Sequence, residues 1–268
     1  MNQPLPVVTT NLAHWGWEEH QYFGHEVFGE LIGEETFTGL SALAVLGRRL
    51  SPECCALLDD TAVALTLADP RIWPLKLTRL VASYGGIIPA AAAGLMIQEG
   101  ARIGPWTTLQ AATLLGQFKD AIDGRWDDPE RVHAVVHAYL DEHSFVWGFG
   151  TPFRPRDERL VALVERVRFH ERDTLPHWRT MQVVSEVVRD QRKTEPNVGL
   201  AVAALLLDMG LSDREIGPLT TTLMQHMFFA NAVEGARQAP DFLRELPPEH
   251  LRYTGKAARK SPRALERT

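Results

Sequence analysis

From Leu31 to Gln238 the chain repeats apolar residues at helical spacing, and no stretch of it sustains the period-two alternation of a half-buried strand. An all-α fold follows. Ser51-Pro52-Glu53 supplies a capping hydroxyl, a proline at the first helical position and an acid in the first turn, after which Cys55, Leu58, Ala62 and Leu65 recur on one face. Leu77, Leu80, Val81 and Tyr84 form a second inward stripe, closed by Gly85-Gly86. The alanine-rich run from Pro89 to Gln98 carries too little side chain for a surface helix and predicts close helix contact. Trp106, Leu109, Leu115, Phe118 and Ile122 continue a helix to Gly124, and Asp128-Pro129-Glu130 caps another that turns Val132, Val135, Val136, Tyr139 and Leu140 to the core. Leu160, Leu163, Val164 and Val167 mark a short amphipathic helix, and Trp178, Met181, Val184 and Val188 mark the next. An apolar helix from Leu200 to Asp208 ends at Gly210, and Ser212-x-x-Glu215 is a capping box. The last long helix is expected from about Pro218 to Gln238, with Leu219, Leu223, Met227 and Ala230 inside and Gln225, His226 and Asn231 as polar exceptions.

A chain of 268 residues that is 45% hydrophobic can bury a full core without a metal or disulfide staple, as one large domain or a body with a smaller lobe. Its two cysteines, Cys54 and Cys55, are adjacent and read as packing residues in a reducing compartment. A net charge of -6 argues against general nucleic-acid binding, although Lys256 to Thr268 is locally basic and is expected to be a disordered tail. No apolar run is long enough to cross a bilayer, and Met1 to Thr10 lacks a signal-peptide pattern, so a cytoplasmic protein without a membrane partner is expected. Glu130, His133, His137 and Asp141 share one helix face, a spacing compatible with a metal; with no further ligand evident, the reading is a solvated face and no metal.

The chemistry-bearing stretch is Gly148-Phe149-Gly150-Thr151-Pro152-Phe153-Arg154-Pro155-Arg156-Asp157-Glu158-Arg159-Leu160. Glycines let a backbone approach a ligand, and the arginines suit anionic groups or, alternatively, pair with Asp157 and Glu158 on a solvated turn. His226 and Gln225 interrupt an apolar helix. His226 is a candidate acid or base, or a histidine bonded to a backbone carbonyl, and His25 beside Glu26 divides in the same way. Trp15, Trp17, Tyr22 and Phe23 read as an N-terminal clamp or subunit contact.

The stretch resembles the signature loop of the citrate synthase and citryl-CoA lyase family, in which Gly-x-Gly-His is followed by Pro, an aromatic residue and Asp-Pro-Arg. Glu30-Leu31-Ile32-Gly33-Glu34-Glu35-Thr36-Phe37, Ala68-Asp69-Pro70-Arg71 and Glu195-Pro196-Asn197-Val198-Gly199 resemble three further family segments in the same order, so the likeness to the short, lyase-type branch runs from about Leu31 to Tyr253. It implies a two-lobed helical homodimer spanning residues 1–255, with a large lobe at about 25–118 and 215–255 and a small lobe at about 120–212. It also implies a cleft for a carboxylate or CoA thioester, the thioester entering as substrate and not as cofactor. By the same comparison the family's carboxylate base falls on Gly199 and its carbonyl-protonating histidine on Thr151. The histidine of its catalytic turn falls near Ile103 in Arg102-Ile103-Gly104-Pro105-Trp106, and a substrate-binding histidine falls on Pro70. Thr151, His226 and His25 are therefore the candidate catalytic positions, and Arg154, Arg156, Arg159, Trp106 and Gln225 the candidate binding ones. Arg159 matches the family's carboxylate-gripping arginine, and Trp106 brings an indole where the family has a small residue. The expected activity is formation or cleavage of a carbon-carbon bond next to a carbonyl, not on citrate itself; the alternative is an inactive relative that binds a ligand.

Overall fold

The computed structural model describes residues 7–66, 69–98, 103–152, 154–238 and 247–256, except the side chain of Trp15. The expected basic tail beyond Lys256, along with Ala68, Arg102 and Phe153, lies outside the described residues. Three short strands, β1 (Ala13–Trp15), β2 (His20–Tyr22) and β3 (His25–Glu26), form an antiparallel sheet in the order β1-β2-β3. Trp17 stands fully exposed at its first turn, while Tyr22 and Phe23 meet edge to face at 5.0 Å. A π-helical turn at Val27–Leu31 leads into α1 (Ile32–Glu34), α2 (Phe37–Leu46), α3 (Pro52–Ala64), α4 (Trp73–Tyr84), α5 (Ile87–Met96) and α6 (Pro105–Ile122). There follow α7 (Pro129–Glu142), α8 (Glu158–Phe169), α9 (Pro176–Arg192), α10 (Val198–Asp208) and α11 (Asp213–Gly235). The fold is all-α apart from that N-terminal sheet.

The core sits around α6 and α10. Leu200 to Leu206 are buried on every side of α10, which packs against α6 and α9, while α6 also packs against α11 and α7. A helix apolar all round belongs in an interior, as this one does. α4, α5 and α11 form a second closely packed group, and Gly94 shows how closely: a Cβ there would lie 2.5 Å from the ring of Phe228, and nearer still to the Thr78 hydroxyl. The alanines Ala90 and Ala91 are buried in the same contact. α3 is tied to α8 through Asp60, whose Oδ2 accepts from Arg166 Nε at 2.8 Å and lies 2.9 Å from His170 Nε2.

The stripe expected on α4 is displaced. Leu75, Thr78, Arg79 and Ala82 are buried, leaving Leu77, Leu80 and Val81 half-buried and Tyr84 exposed. Arg79 is accommodated because its Nη1 donates to Asn231 Oδ1 at 3.2 Å and pairs with Glu234 on α11 at 2.5 Å. α11 begins before Pro218, which lies inside it; Glu215 Oε2 accepts from the Ser212 backbone N–H at 2.7 Å and from its hydroxyl at 2.6 Å, so the helix starts there. Leu219, Leu223 and Met227 face inward as expected, but Ala230 is exposed and Asn231 is buried in its place.

Candidate functional site

Two loops assemble the site. Gly150 donates its backbone N–H to Glu195 O at 2.8 Å, Asn197 donates its own to Gly148 O at 2.9 Å, and the Asn197 side chain donates Nδ2–H to Gly150 O at 2.9 Å. Phe149 and Pro196 thus face each other as an isolated antiparallel bridge, and residues 148–150 and 195–197 make one wall of main chain. Gly148 has φ +85°, and a Cβ there would lie 2.7 Å from Leu200 Cβ, so both the backbone and the close approach of α10 require glycine.

Asp157 caps α8 and anchors the wall. Its side chain is fully buried; Oδ1 accepts from Arg159 Nε at 2.7 Å, and Oδ2 accepts from Arg159 Nη2 at 2.8 Å and from the Val198 N–H at 2.9 Å. Burial pushes this carboxyl up, but the Arg159 guanidinium and the two backbone N–H groups outweigh it and hold Asp157 below the usual aspartate range. The Nε/Nη2 edge of Arg159 is thereby fixed on Asp157, and Nη1 has no partner among the described residues. A guanidinium gripped on one edge can still present the other to a carboxylate.

Arg159 lines a cleft of about 420 Å³. Its other walls are the start of α6 (Gly104, Thr107, Thr108), the start of α10 (Val198, Gly199), Phe145, Trp147 to Pro152, Leu65, Ile72, Leu75, Gln98, and Met224, Met227 and Phe228 of α11. Two helix N-termini therefore open onto one space, where their dipoles favour negative charge. Thr151 Oγ1 and Gln98 Oε1 are buried with no hydrogen-bond partner among the described residues. An unpaired buried polar atom costs about 1–3 kcal/mol, and a ligand with polar groups removes that cost.

Of the residues singled out from sequence, Thr151 and Arg159 meet in this cleft, together with Gly199 and Ile103. His226 does not wall it: the side chain is exposed on α11, with Nε2 2.7 Å from Thr66 Oγ1, and Gln225 beside it is half-buried outside the cleft. His25 lies in the N-terminal sheet, where Nδ1 is 2.8 Å from Glu30 Oε1, an oxygen shared with Arg49 Nη1 at 3.1 Å. Arg154 pairs with Glu158 one turn away and Arg156 is exposed, so neither walls the cleft. Trp106 stands behind it, edge-on to Trp147 at 4.9 Å, and it is the Trp147 ring that lines the space. Pro70 is exposed; its neighbour Asp69 is held down at about 2 by the side chain and backbone N–H of Arg71, with Arg154 adding to the effect. Gln98, Thr107, Thr108 and Trp147 went unremarked as site residues. The one available signal was Gln98, a lone amide closing an alanine-rich run. Among the described residues no three His, Cys, Asp or Glu side chains converge as metal ligands; His133 and His137 stack at 5.9 Å on α7.

No protein-family model and no curated protein matches the chain. Solved structures do. Citryl-CoA lyase from Hydrogenobacter thermophilus superposes with a TM-score of 0.76 at 20% identity, over 97% of this chain and 100% of that one. This is the citrate synthase-like fold. ATP citrate lyase from Methanothrix soehngenii, solved in complex with citrate and coenzyme A, superposes with a TM-score of 0.73 at 16% identity, covering 96% of this chain and 43% of that one. Citrate synthase from Thermotoga maritima MSB8 gives 0.62 at 19% identity, over 84% of this chain and 59% of that one. The chain thus spans less than half of the ATP citrate lyase chain and the full length of the citryl-CoA lyase. Within the citrate synthase-like fold, the paired loops of the wall are the Gly148 and Pro196 segments whose likeness to the family was visible in sequence. No helix among the described residues is long and apolar enough to cross a membrane.

Proposed function

We propose that the cleft binds a carboxylate or CoA thioester, and that the protein forms or cleaves a carbon-carbon bond next to a carbonyl in such a substrate, not in citrate. The carrying observation is Arg159, fixed by a buried carboxylate at the mouth of two helix N-termini, in a fold shared with a citryl-CoA lyase and a citrate synthase. On this reading residues at about 25–118 and 215–255 form a large lobe and 120–212 a small one, with the cleft between them. Two copies associate through α4, α5 and α11, where the half-buried stripe of α4 joins exposed Ile88, Met96, Phe229 and Val233. A reducing, cytoplasmic setting suits the free, buried thiols of Cys54 and Cys55.

A second reading, ligand binding without turnover, is favoured by one observation: the described residues lining the cleft include no Asp, Glu, His, Lys or Cys to move a proton. Acid-base catalysis by a positioned group contributes about 10² to 10⁴ in rate, and the threonine hydroxyl at 151 does not exchange protons near neutrality as imidazole does. Citrate synthase and citryl-CoA lyase turnover are accordingly expected below about 1 s⁻¹, the low end for ordinary enzymes, in the wild type and in Gly199→Asp alike. The deciding experiment incubates the protein with CoA thioesters and a carboxylate panel, following thioester by mass spectrometry and binding by thermal shift. Consumption or release of a thioester establishes the enzyme. Stabilisation of about 2.7 kcal/mol at a hundredfold excess over Kd, without turnover, establishes the binding protein. Neither response removes the cleft as a ligand site.

A further inference from the structure

Arg159 is the one charged side chain among the described residues lining the cleft, and its charge is already opposed by Asp157. The remaining polar groups are mostly occupied: Thr107 and Thr108 hydroxyls donate to Gly104 O at 2.9 and 3.1 Å, and Asn197 serves Gly150 O and the Leu200 N–H. Three polar positions are left over, the outer edge of Arg159, Thr151 Oγ1 and Gln98 Oε1, the last on a side chain only 3% exposed. Leu65, Ile72, Leu75, Met224, Met227 and Phe228 supply a continuous choice of apolar wall. We propose that the ligand is an aliphatic acid with a single carboxylate, one hydroxyl or oxo oxygen on the neighbouring carbon, and an apolar chain, in preference to a di- or tricarboxylate. The carboxylate takes the free edge of Arg159, the oxygen substituent accepts from the Thr151 hydroxyl or, as a hydroxyl, donates to Gln98 Oε1, and the chain lies against the methionines and leucines. Beyond the backbone N–H groups of the two helix starts, a second or third carboxylate meets no further cationic side chain among the described residues lining the cleft, and burying an ion without a charged partner is unfavourable. Thioether side chains adapt to chains of different shape.

This inference rests on the reading of the cleft as the substrate site, and the test separates the two. Titration calorimetry on the intact protein compares 2-hydroxy and 2-oxo acids of four, six and eight carbons with hexanoate, oxaloacetate and citrate. Affinity is expected to rise about fourfold per added methylene, the equivalent of about 0.8 kcal/mol, until the cleft is full. Oxaloacetate and citrate are expected to bind more weakly than the six-carbon monoacids. Thr151→Val removes a hydroxyl that has no partner among the described residues, so the fold is expected to be kept; it is expected to weaken the substituted six-carbon acids at least fivefold and leave hexanoate unchanged. Oxaloacetate or citrate binding tighter than every monoacid, an absence of chain-length dependence, or an equal effect of Thr151→Val on hexanoate overturns the inference while leaving a carboxylate site. Failure of every acid to bind the folded protein overturns both.

Discussion

Asp157 serves two partners at once, the side chain of Arg159 and the first backbone N–H of α10, and its titration is therefore coupled to folding. Its carboxyl in the folded protein lies below the ordinary value of about 3.9, so its stabilising contribution is complete above that value and is lost as pH falls through the folded one. Melting temperature should fall steeply below about pH 4. Asp157→Asn should be less stable at pH 7 by about 3 kcal/mol, the lower end for breaking a buried pair because Arg159 keeps some contact with water, and should show a shallower acid dependence. Parallel pH profiles for the two proteins would refute this assignment. The same residue marks what sequence could show at this scale. The loop displayed its arginines and acids, but three arginines within six positions look alike in sequence, and only the fold separates Arg159 in the cleft from Arg154, paired with Glu158, and Arg156 in solvent. His226 misled for a related reason. One residue advances a helix by about 100°, so His226, two residues past Met224, lies about 200° round from it, on the far side of α11 from Met224, Met227 and Phe228, which wall the cleft.

Helix starts were the most legible elements. Ser51 and Asp128 each accept from a backbone N–H in the first turn, and Glu215 bonds back to Ser212, because capping is a contact of three or four residues that a local sequence states outright; the Asn197 cap, which starts α10 two residues before the expected Leu200, is the exception. The N-terminal sheet was not legible: strands of two or three residues are too short to display a period. The phase of α4 also escaped, because burying Arg79 depends on Asn231 and Glu234 some 150 positions away. The wall of the cleft is testable at this scale. Gly148→Ala must place a Cβ in a left-handed backbone and into Leu200, costs of about 1–3 kcal/mol each, so a loss of at least about 2 kcal/mol is expected from urea unfolding, together with loss of ligand-induced stabilisation. An unchanged urea midpoint would show that α10 can draw back from the loop.

At the scale of the whole molecule, one group of helices shares an exposed apolar face. Ile88 is 74% exposed and Met96 82%, on an α5 already packed against α4 and α11, and Tyr84, Phe229 and Val233 are exposed nearby in the same group. A two-fold dimer that covers this face should give twice the chain mass in light scattering at micromolar concentration, and Ile88→Glu should halve it by placing a charge against its symmetry mate. A monomer in the unsubstituted protein would count against the dimer. The pairing of residues 148–150 with 195–197 is made by main-chain groups and the Asn197 amide, none of which depends on the side chains at 151 or 199. A side chain at 151 can therefore be exchanged, reactive for inert or the reverse, while the mouth of the cleft keeps its shape, whereas a Cβ at 199 would lie 3.0 Å from Asn197 Oδ1 and has less room. Shape and reactivity can be varied apart at position 151.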